Sequence, residues 1–505
     1  MKRRTFLAGS GALLLSGLSA CSDTTTPADP DAGTTGSGSG TGNGTGTGSG
    51  SGSGSATGGG TGTAMGYRAL AIPPLTEGQA NPALGTRDVT LELQSGVSSF
   101  LDGLDTPTWG INGAFLGPAV RLRKGDRARM QVVNRLPETT TLHWHGMKLP
   151  GPMDGGPHQE IAPGETWTAE FDIVQGASMN WFHPHKEGVT GRHVQMGLAG
   201  LLLIEDEVSD ALNLPSDWGV DDIPLILQDR RFNADGSFDY SLAMMEAMRG
   251  FHGDHYLVNG TLDAGVALPP KEVRLRILNG SNAREYDLAF SDGRSFRLIG
   301  TDGGLTENAV ALTRLRLTPG ERAEILVDLR NDAGEMLYLL NRADADARLL
   351  TLDVQTGGGS SETVPDALTS LTHLDPAGAT TRSFEFGMMR GRFTINGQSM
   401  DMNRIDLSVP KGRVEIWEIV NRMDMLHNFH VHATHFEILD RNGSASLVED
   451  WERGYKDTVR LGPGERVRLL LSFEHYTTTA DAPYMFHCHI LEHEDRGMMG
   501  QFIVA

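Results

Sequence analysis

His487-Cys488-His489-Ile490-Leu491-Glu492-His493, followed by Met498 in Glu494-Asp495-Arg496-Gly497-Met498-Met499, is the stretch on which the reading of this chain turns. It carries a soft thiolate, an imidazole and a thioether in close succession. Cys488, His493 and Met498, with one more histidine from elsewhere, make the ligand set of a blue-copper electron-transfer centre. The histidines flanking Cys488 cannot join that set, because successive side chains of an extended strand point to opposite faces while residues two apart share one. His487 and His489 therefore face a second metal site.

Three further histidine clusters obey the same parity: Leu142-His143-Trp144-His145-Gly146, Trp181-Phe182-His183-Pro184-His185 and His427-Asn428-Phe429-His430-Val431-His432. In each, the H-x-H pair shares a strand face. His427, an odd number of residues before His430, leans the other way and is the missing partner of Cys488. The mononuclear site is then His427, Cys488, His493 and Met498. His143, His145, His183, His185, His430, His432, His487 and His489 remain. Eight imidazoles and no second thiolate suit a cluster of three coppers that binds and reduces dioxygen.

These four motifs, in this order, resemble the copper-ligand signature of the multicopper oxidases, and the resemblance spans roughly residues 66 to 505. It implies four coppers per chain. His143 and His430 would hold the single type 2 copper, and His145, His183, His185, His432, His487 and His489 the type 3 pair, with His427, Cys488, His493 and Met498 as the type 1 site. The resemblance further implies that electrons enter at the type 1 copper one at a time and that dioxygen is reduced to water. That reduction consumes protons, and Asp154 and Glu494 match positions used in the family for proton delivery. His158, His193, His252, His255, His373, His435 and His475 fit no ligand spacing and read as structural or surface residues.

The chain repeats itself. An apolar-Asn-Gly element appears as Ile111-Asn112-Gly113, Val258-Asn259-Gly260 and Ile395-Asn396-Gly397, each followed by alternating apolar residues and an Asn (Asn134, Asn279, Asn421). A Pro-Gly-Glu turn recurs at Pro163-Gly164-Glu165, Pro319-Gly320-Glu321 and Pro463-Gly464-Glu465. Short alternating strands with Gly and Pro turns indicate antiparallel β-sandwiches. The resemblance sharpens this to an all-β chain of three consecutive cupredoxin-like Greek-key domains, at 66–210, 211–355 and 384–505, with 356–383 as a linker. Where the outer copies carry histidines, the middle one reads Asn279-Gly280-Ser281-Asn282-Ala283-Arg284. The middle domain is therefore expected to bind no catalytic copper and to act as a spacer, with the trinuclear cluster shared between the first and third.

The N-terminus, Met1-Lys2-Arg3-Arg4-Thr5-Phe6-Leu7, sets twin arginines before a short apolar run ending Leu18-Ser19-Ala20-Cys21. Residues 1–20 read as a twin-arginine export signal, and Leu18-Ser19-Ala20-Cys21 resembles a lipobox, which predicts lipid attachment at Cys21 and a periplasmic or cell-envelope location. Residues 21–65, almost wholly Gly, Ser and Thr beyond the first few, read as a flexible tether with a reach of about 35 to 40 Å. Only two cysteines are present, and both have other uses, so no intrachain disulfide is expected. The net charge is -21, which makes nucleic acid an unsuitable partner. A monomer is expected.

The electron donor is the least determined feature. Cuprous oxidases of the family carry a methionine- and histidine-rich insert before the third domain, suited to soft Cu(I), whereas residues 356–393 have only two methionines, Met388 and Met389, and one histidine, His373. Without a covering insert the mononuclear copper is expected to be open to bulkier phenols or aromatic amines, and laccase-like activity is the leading reading. Cu(I) is the alternative donor, and Asp424 and Met425 partly match the family's substrate-copper ligands. Met244, Met245 and Met248 lie in a helix-like run ended by Gly250; such a stripe more often faces a core, and otherwise lines the mouth. A copper-binding cupredoxin-repeat scaffold or store is the non-enzymatic alternative. Related non-catalytic proteins have lost ligands; this chain has lost none.

Overall fold

A computed structural model describes residues 66–505 except 358 and 360–363. The export signal, Cys21 and the tether lie outside the described residues, as does part of the 356–383 linker.

Among the described residues six sheets enclose three main hydrophobic cores. The first sandwich sets the sheet of Gln79–Asn81, Thr86–Ser98, Arg127–Asn134 and Thr166–Asp172 against that of Leu75–Thr76, Ala119–Arg123, Gly200–Glu205, Ser178–His183 and His143–His145. Arg127–Asn134 shows the pattern that builds it: Ala128, Met130 and Val132 point inward and are buried, while the residues between them are partly or fully exposed. They meet Trp144, Phe182 and Leu202 from the facing sheet. The second core gathers Leu225, Leu275, Ile325 and Leu352, and the third gathers Phe384, Trp417, Phe429, Leu469 and Phe486.

Two expectations need correction. The sandwiches are mixed rather than antiparallel: Thr86–Ser98 pairs parallel with Arg127–Asn134, and Thr380–Met389 parallel with Val414–Asn421. Connections that cross from one sheet to the other return strands in the same direction, which alternation within a strand does not register. The second concerns residues 66–70, assigned above to the first domain. Arg68–Ala69 pairs with Ala264–Gly265 in the second sandwich, and Leu70 packs in its core. The linker region is partly docked: Val364 and Leu368 pack on Ile299, Leu305 and Leu326, and the strand Thr380–Met389 begins inside the stretch read as linker.

The repeats have a structural reason. Asn112, Asn259 and Asn396 all adopt positive φ, at 56°, 50° and 53°, a conformation that Asn tolerates better than most side chains. Each carboxamide bridges a neighbouring strand, accepting from Glu92, Ile226 or Glu385 N–H and donating to Thr90, Pro224 or Ser383 C=O. Asn134, Asn279 and Asn421 do a second common job. Each carboxamide donates to two carbonyls at 2.8 or 2.9 Å and closes the loop after its strand.

Candidate metal centre

Strand register assembles the histidines. His143 lies opposite His183 in the first sandwich, and His430 opposite His487 in the third. Parity then sorts them. Trp144 and Phe182 turn into the first core, and Phe429, Val431, Phe486 and Cys488 into the third. His143, His145, His430, His432, His487 and His489 are left on the opposite faces, where the two sandwiches meet. The rings of His143 and His432 stack with centroids 3.9 Å apart, and those of His145 and His430 at 3.7 Å.

Among the described residues possible ligand atoms converge in five groups: His143 with His430 and His432; His145 with His183 and His489; His185 with His432 and His487; His145 with His430 and Asp457; and His427 with Cys488 and His493. In the last, Nδ1 of His427 and Nδ1 of His493 lie 3.5 and 3.6 Å from Sγ of Cys488 and 3.1 Å from each other. Met498 is buried in the same core as Cys488. Among the described residues none of the seven other histidines joins such a group.

The donor set fits copper. His143, His183 and His430 each donate from Nδ1 to a backbone carbonyl, of Asp154, Pro184 and Asp457, leaving Nε2 buried and without a partner. His145 is reversed: Nε2–H donates to Asp457 Oδ1 at 3.0 Å and Nδ1 is the orphan. Fixing one ring nitrogen by hydrogen bonding presents the other as a ligand. Burial, reinforced by neighbouring imidazoles, holds the pKa values of His143, His183, His432 and His489 well below the usual value. These rings are therefore neutral, the form that binds metal. Burial pushes the Cys488 thiol up to about 12, so a bound cation must displace its proton.

Asp154 and Glu494 both reach the cluster. Asp154 Oδ2 accepts from His432 Nδ1 at 2.7 Å, while Oδ1 lies 3.5 Å from His143 Nδ1 and accepts no hydrogen bond. Glu494 lies 3.4 Å from His185 Nδ1 and 3.2 Å from His487 Nδ1. Burial raises both pKa values. His158 bonds Gln501, not Asp154.

Three neighbours of the ligands have no histidine spacing to announce them. Asp457 holds His145 through its carboxylate and His430 through its carbonyl. Burial opposes its charge, but the Arg322 guanidinium, with His145 next, keeps its pKa well below the carboxylate range. Asn428 Oδ1 accepts from His489 N at 2.7 Å. Arg322 belongs to the recurring Pro-Gly-Glu turn, whose sequence signal marked only the repeat.

The mononuclear site is not open, contrary to expectation. His427 and His493 are fully buried, packed against Phe386 and Phe393. His493 Nε2 donates to the Met248 carbonyl at 3.0 Å. The helix Met244–Arg249, ended at Gly250 as the sequence indicated, supplies the cover. Its methionines do not form a core stripe: Met244 and Met245 are exposed, and Met248 packs on the third core. Asp424 is exposed and Met425 half-buried beside that core.

The Multicopper oxidase family profiles match residues 92–209, 211–354 and 370–505. The chain belongs to the multicopper oxidase family, and it is a copper-dependent oxidoreductase that uses dioxygen. Multicopper oxidase mco of Staphylococcus haemolyticus is 36% identical over 446 residues, 88% of this chain and 94% of that protein. Cell division protein FtsP of Photorhabdus laumondii is 36% identical over 454 residues, 86% of this chain and 92% of that protein. Among solved structures, a laccase-like multicopper oxidase, CueO, from the lignin-degrading bacterium Ochrobactrum sp. superposes with a TM-score of 0.80 at 40% identity, covering 86% of this chain and 100% of that one. That protein has oxidase activity towards lignin model compounds and lignosulfonate.

Proposed function

We propose that this oxidase is laccase-like, taking single electrons from phenolic or aromatic donors and passing them to dioxygen, which is reduced to water. The observation that carries this reading is the thinness of the cover over His493. Among the described residues one short helix lies over it, and residues 356–393 hold only two methionines, Met388 and Met389. A donor resting on that helix is separated from the imidazole by little more than the Met248 carbonyl, and electron transfer needs no bond to the metal. The activity of the Ochrobactrum protein towards lignin model compounds supports the same donor class.

The residues divide the work. His427, Cys488, His493 and Met498 would hold the type 1 copper, His143 and His430 the type 2, and His145, His183, His185, His432, His487 and His489 the type 3 pair. When bound, the coppers supply one-electron acceptance at the mononuclear site and binding and reduction of dioxygen at the cluster. Cys488 shares a chain segment with His487 and His489, so the two sites are joined covalently. Asp154 and Glu494, buried and raised in pKa, hold protons beside the cluster ligands.

A second reading, oxidation of Cu(I), is favoured by the thioethers of Met244 and Met245, exposed on that same helix, with Asp424 and Met425 as further candidates. Export and tethering through Cys21 complete the proposal. Oxygen uptake by the copper-loaded protein with 2,6-dimethoxyphenol and, separately, with Cu(I) tests it. Faster turnover of the phenol supports the laccase reading. Faster turnover of Cu(I), lost in a Met244→Ser, Met245→Ser double variant, replaces it with the second.

A further inference from the structure

The middle sandwich holds no ligand, yet its Thr318–Arg322 turn lies against the cluster. The Arg322 side chain touches all three sandwiches. Nη1 and Nη2 donate to the two oxygens of Asp457 in the third, at 2.7 and 2.6 Å. Nε donates to the Met179 carbonyl in the first at 3.0 Å, and Nη2 also to the Asp302 carbonyl in the second at 2.9 Å. Neither Arg322 nor Asp457 has any exposed side-chain surface. Such a fork fixes a carboxylate in position and in plane, which a point charge does not.

What Asp457 then holds is two ligands, one from each flanking sandwich: His145 through Oδ1 and His430 through its carbonyl. Two glycines show how closely the parts fit. At Gly320, with φ of 86°, an added Cβ would sit 3.1 Å from His145 Cε1 and 3.1 Å from His489 Cδ2. At Gly146, directly after His145, it would sit 2.5 Å from Arg322 Nη2. Asn428, which fixes the His489 backbone, donates in turn to the Pro319 carbonyl at 2.8 Å. A second buried ion pair, Lys456 with Asp302 and Glu321 at 2.9 and 3.0 Å, ties the turn to the third sandwich.

We propose that the middle domain is part of the trinuclear site, its Pro319-Gly320-Glu321-Arg322 turn positioning His145, His430 and His489 through Asp457 and direct packing. Arg322 is a positioning residue. Holding Asp457 keeps the His145 Nε2–H engaged and leaves its buried Nδ1 as the nitrogen that would ligate copper, while Gly320 admits the His145 and His489 rings. The middle domain thus acts as more than a spacer. This inference rests on the multicopper oxidase reading of the site.

The test is full-length Arg322→Lys and Gly320→Ala, loaded with copper beside the wild type. Lysine keeps the charge and loses the fork; alanine removes no charge and crowds two rings. The readouts are copper per chain, the blue absorbance of the Cys488 centre, the type 2 paramagnetic signal, and turnover at varied dioxygen. We expect both variants to keep the blue absorbance and to lose cluster copper or perturb the type 2 signal. Dioxygen turnover should fall about 100-fold, the scale for a misplacement of about 1 Å, with KM for the donor unchanged. Wild-type copper content and turnover in both variants would overturn the proposal, as would loss of blue and cluster copper in step with thermal stability. A wild type with no blue centre would instead defeat the functional reading.

Discussion

Asp154→Asn isolates proton delivery from ligand geometry. In the wild type, Oδ2 accepts the His432 Nδ1–H at 2.7 Å while Oδ1 is buried, accepts no hydrogen bond and lies 3.5 Å from His143 Nδ1. An asparagine can keep its carbonyl oxygen on His432 with the same shape, so copper content should stay at the wild-type level. It cannot carry a proton to the cluster. Positioned acid-base groups contribute about 100- to 10,000-fold, and Glu494 remains beside His185 and His487, so we take the lower end: kcat falls about 100-fold, or about 2.7 kcal/mol. Asp154→Ala differs, because it leaves the buried His432 donor without a partner at a cost of about 1–3 kcal/mol, and type 3 copper should drop as well. The assay is dioxygen uptake at saturating donor, paired with copper analysis on the same sample. An Asn variant with full copper and at least half of wild-type kcat refutes the proton role.

Cys488→Ser should abolish the blue absorbance and donor oxidation while leaving the eight-histidine cluster able to bind copper, read by copper analysis; retention of the blue band contradicts the type 1 assignment. Burial lowers the pKa of His435 to about 3 and that of His193 to about 4. Since both folded values lie below the unfolded one, stability is flat above about pH 6.5 and falls as pH drops towards those values, by up to about 1.4 kcal/mol per pH unit for each histidine. His435→Gln, which can still donate to the Gly146 carbonyl, should lower the proton uptake on unfolding between pH 6 and 4 by about one, measured from the pH dependence of denaturant unfolding. Asn279→Ala removes a buried bond to the Leu317 carbonyl and a part-buried one to the Arg284 carbonyl, and we expect a loss of about 1–3 kcal/mol in denaturation of the copper-free protein with no change in donor KM.

The grouping of the candidate ligands was legible because strand parity alone separates Cys488 from His487 and His489, and His427 from His430. The three-fold repeat was legible because Asn112, Asn259 and Asn396 each satisfy the same backbone geometry and leave the same local word. Asp457 and Arg322 were not, since their meaning lies in contacts across more than a hundred residues and three sandwiches. Met248 acts on His493 through a carbonyl, which no side-chain pattern encodes, and so the burial of the mononuclear site was missed. Arg68–Ala69 joins the second sandwich because sheet-edge pairing is decided in space; two residues of strand carry too little pattern to say where.

The proposed reaction couples single-electron donors to complete reduction of dioxygen at a copper cluster shared within one chain. The most direct measurement is the ratio of donor oxidised to dioxygen consumed by the fully copper-loaded protein, with hydrogen peroxide measured in the same vessel. The account predicts four one-electron donors per dioxygen and no peroxide. Peroxide as the product, or no uptake by protein holding all four coppers with either donor, would contradict it.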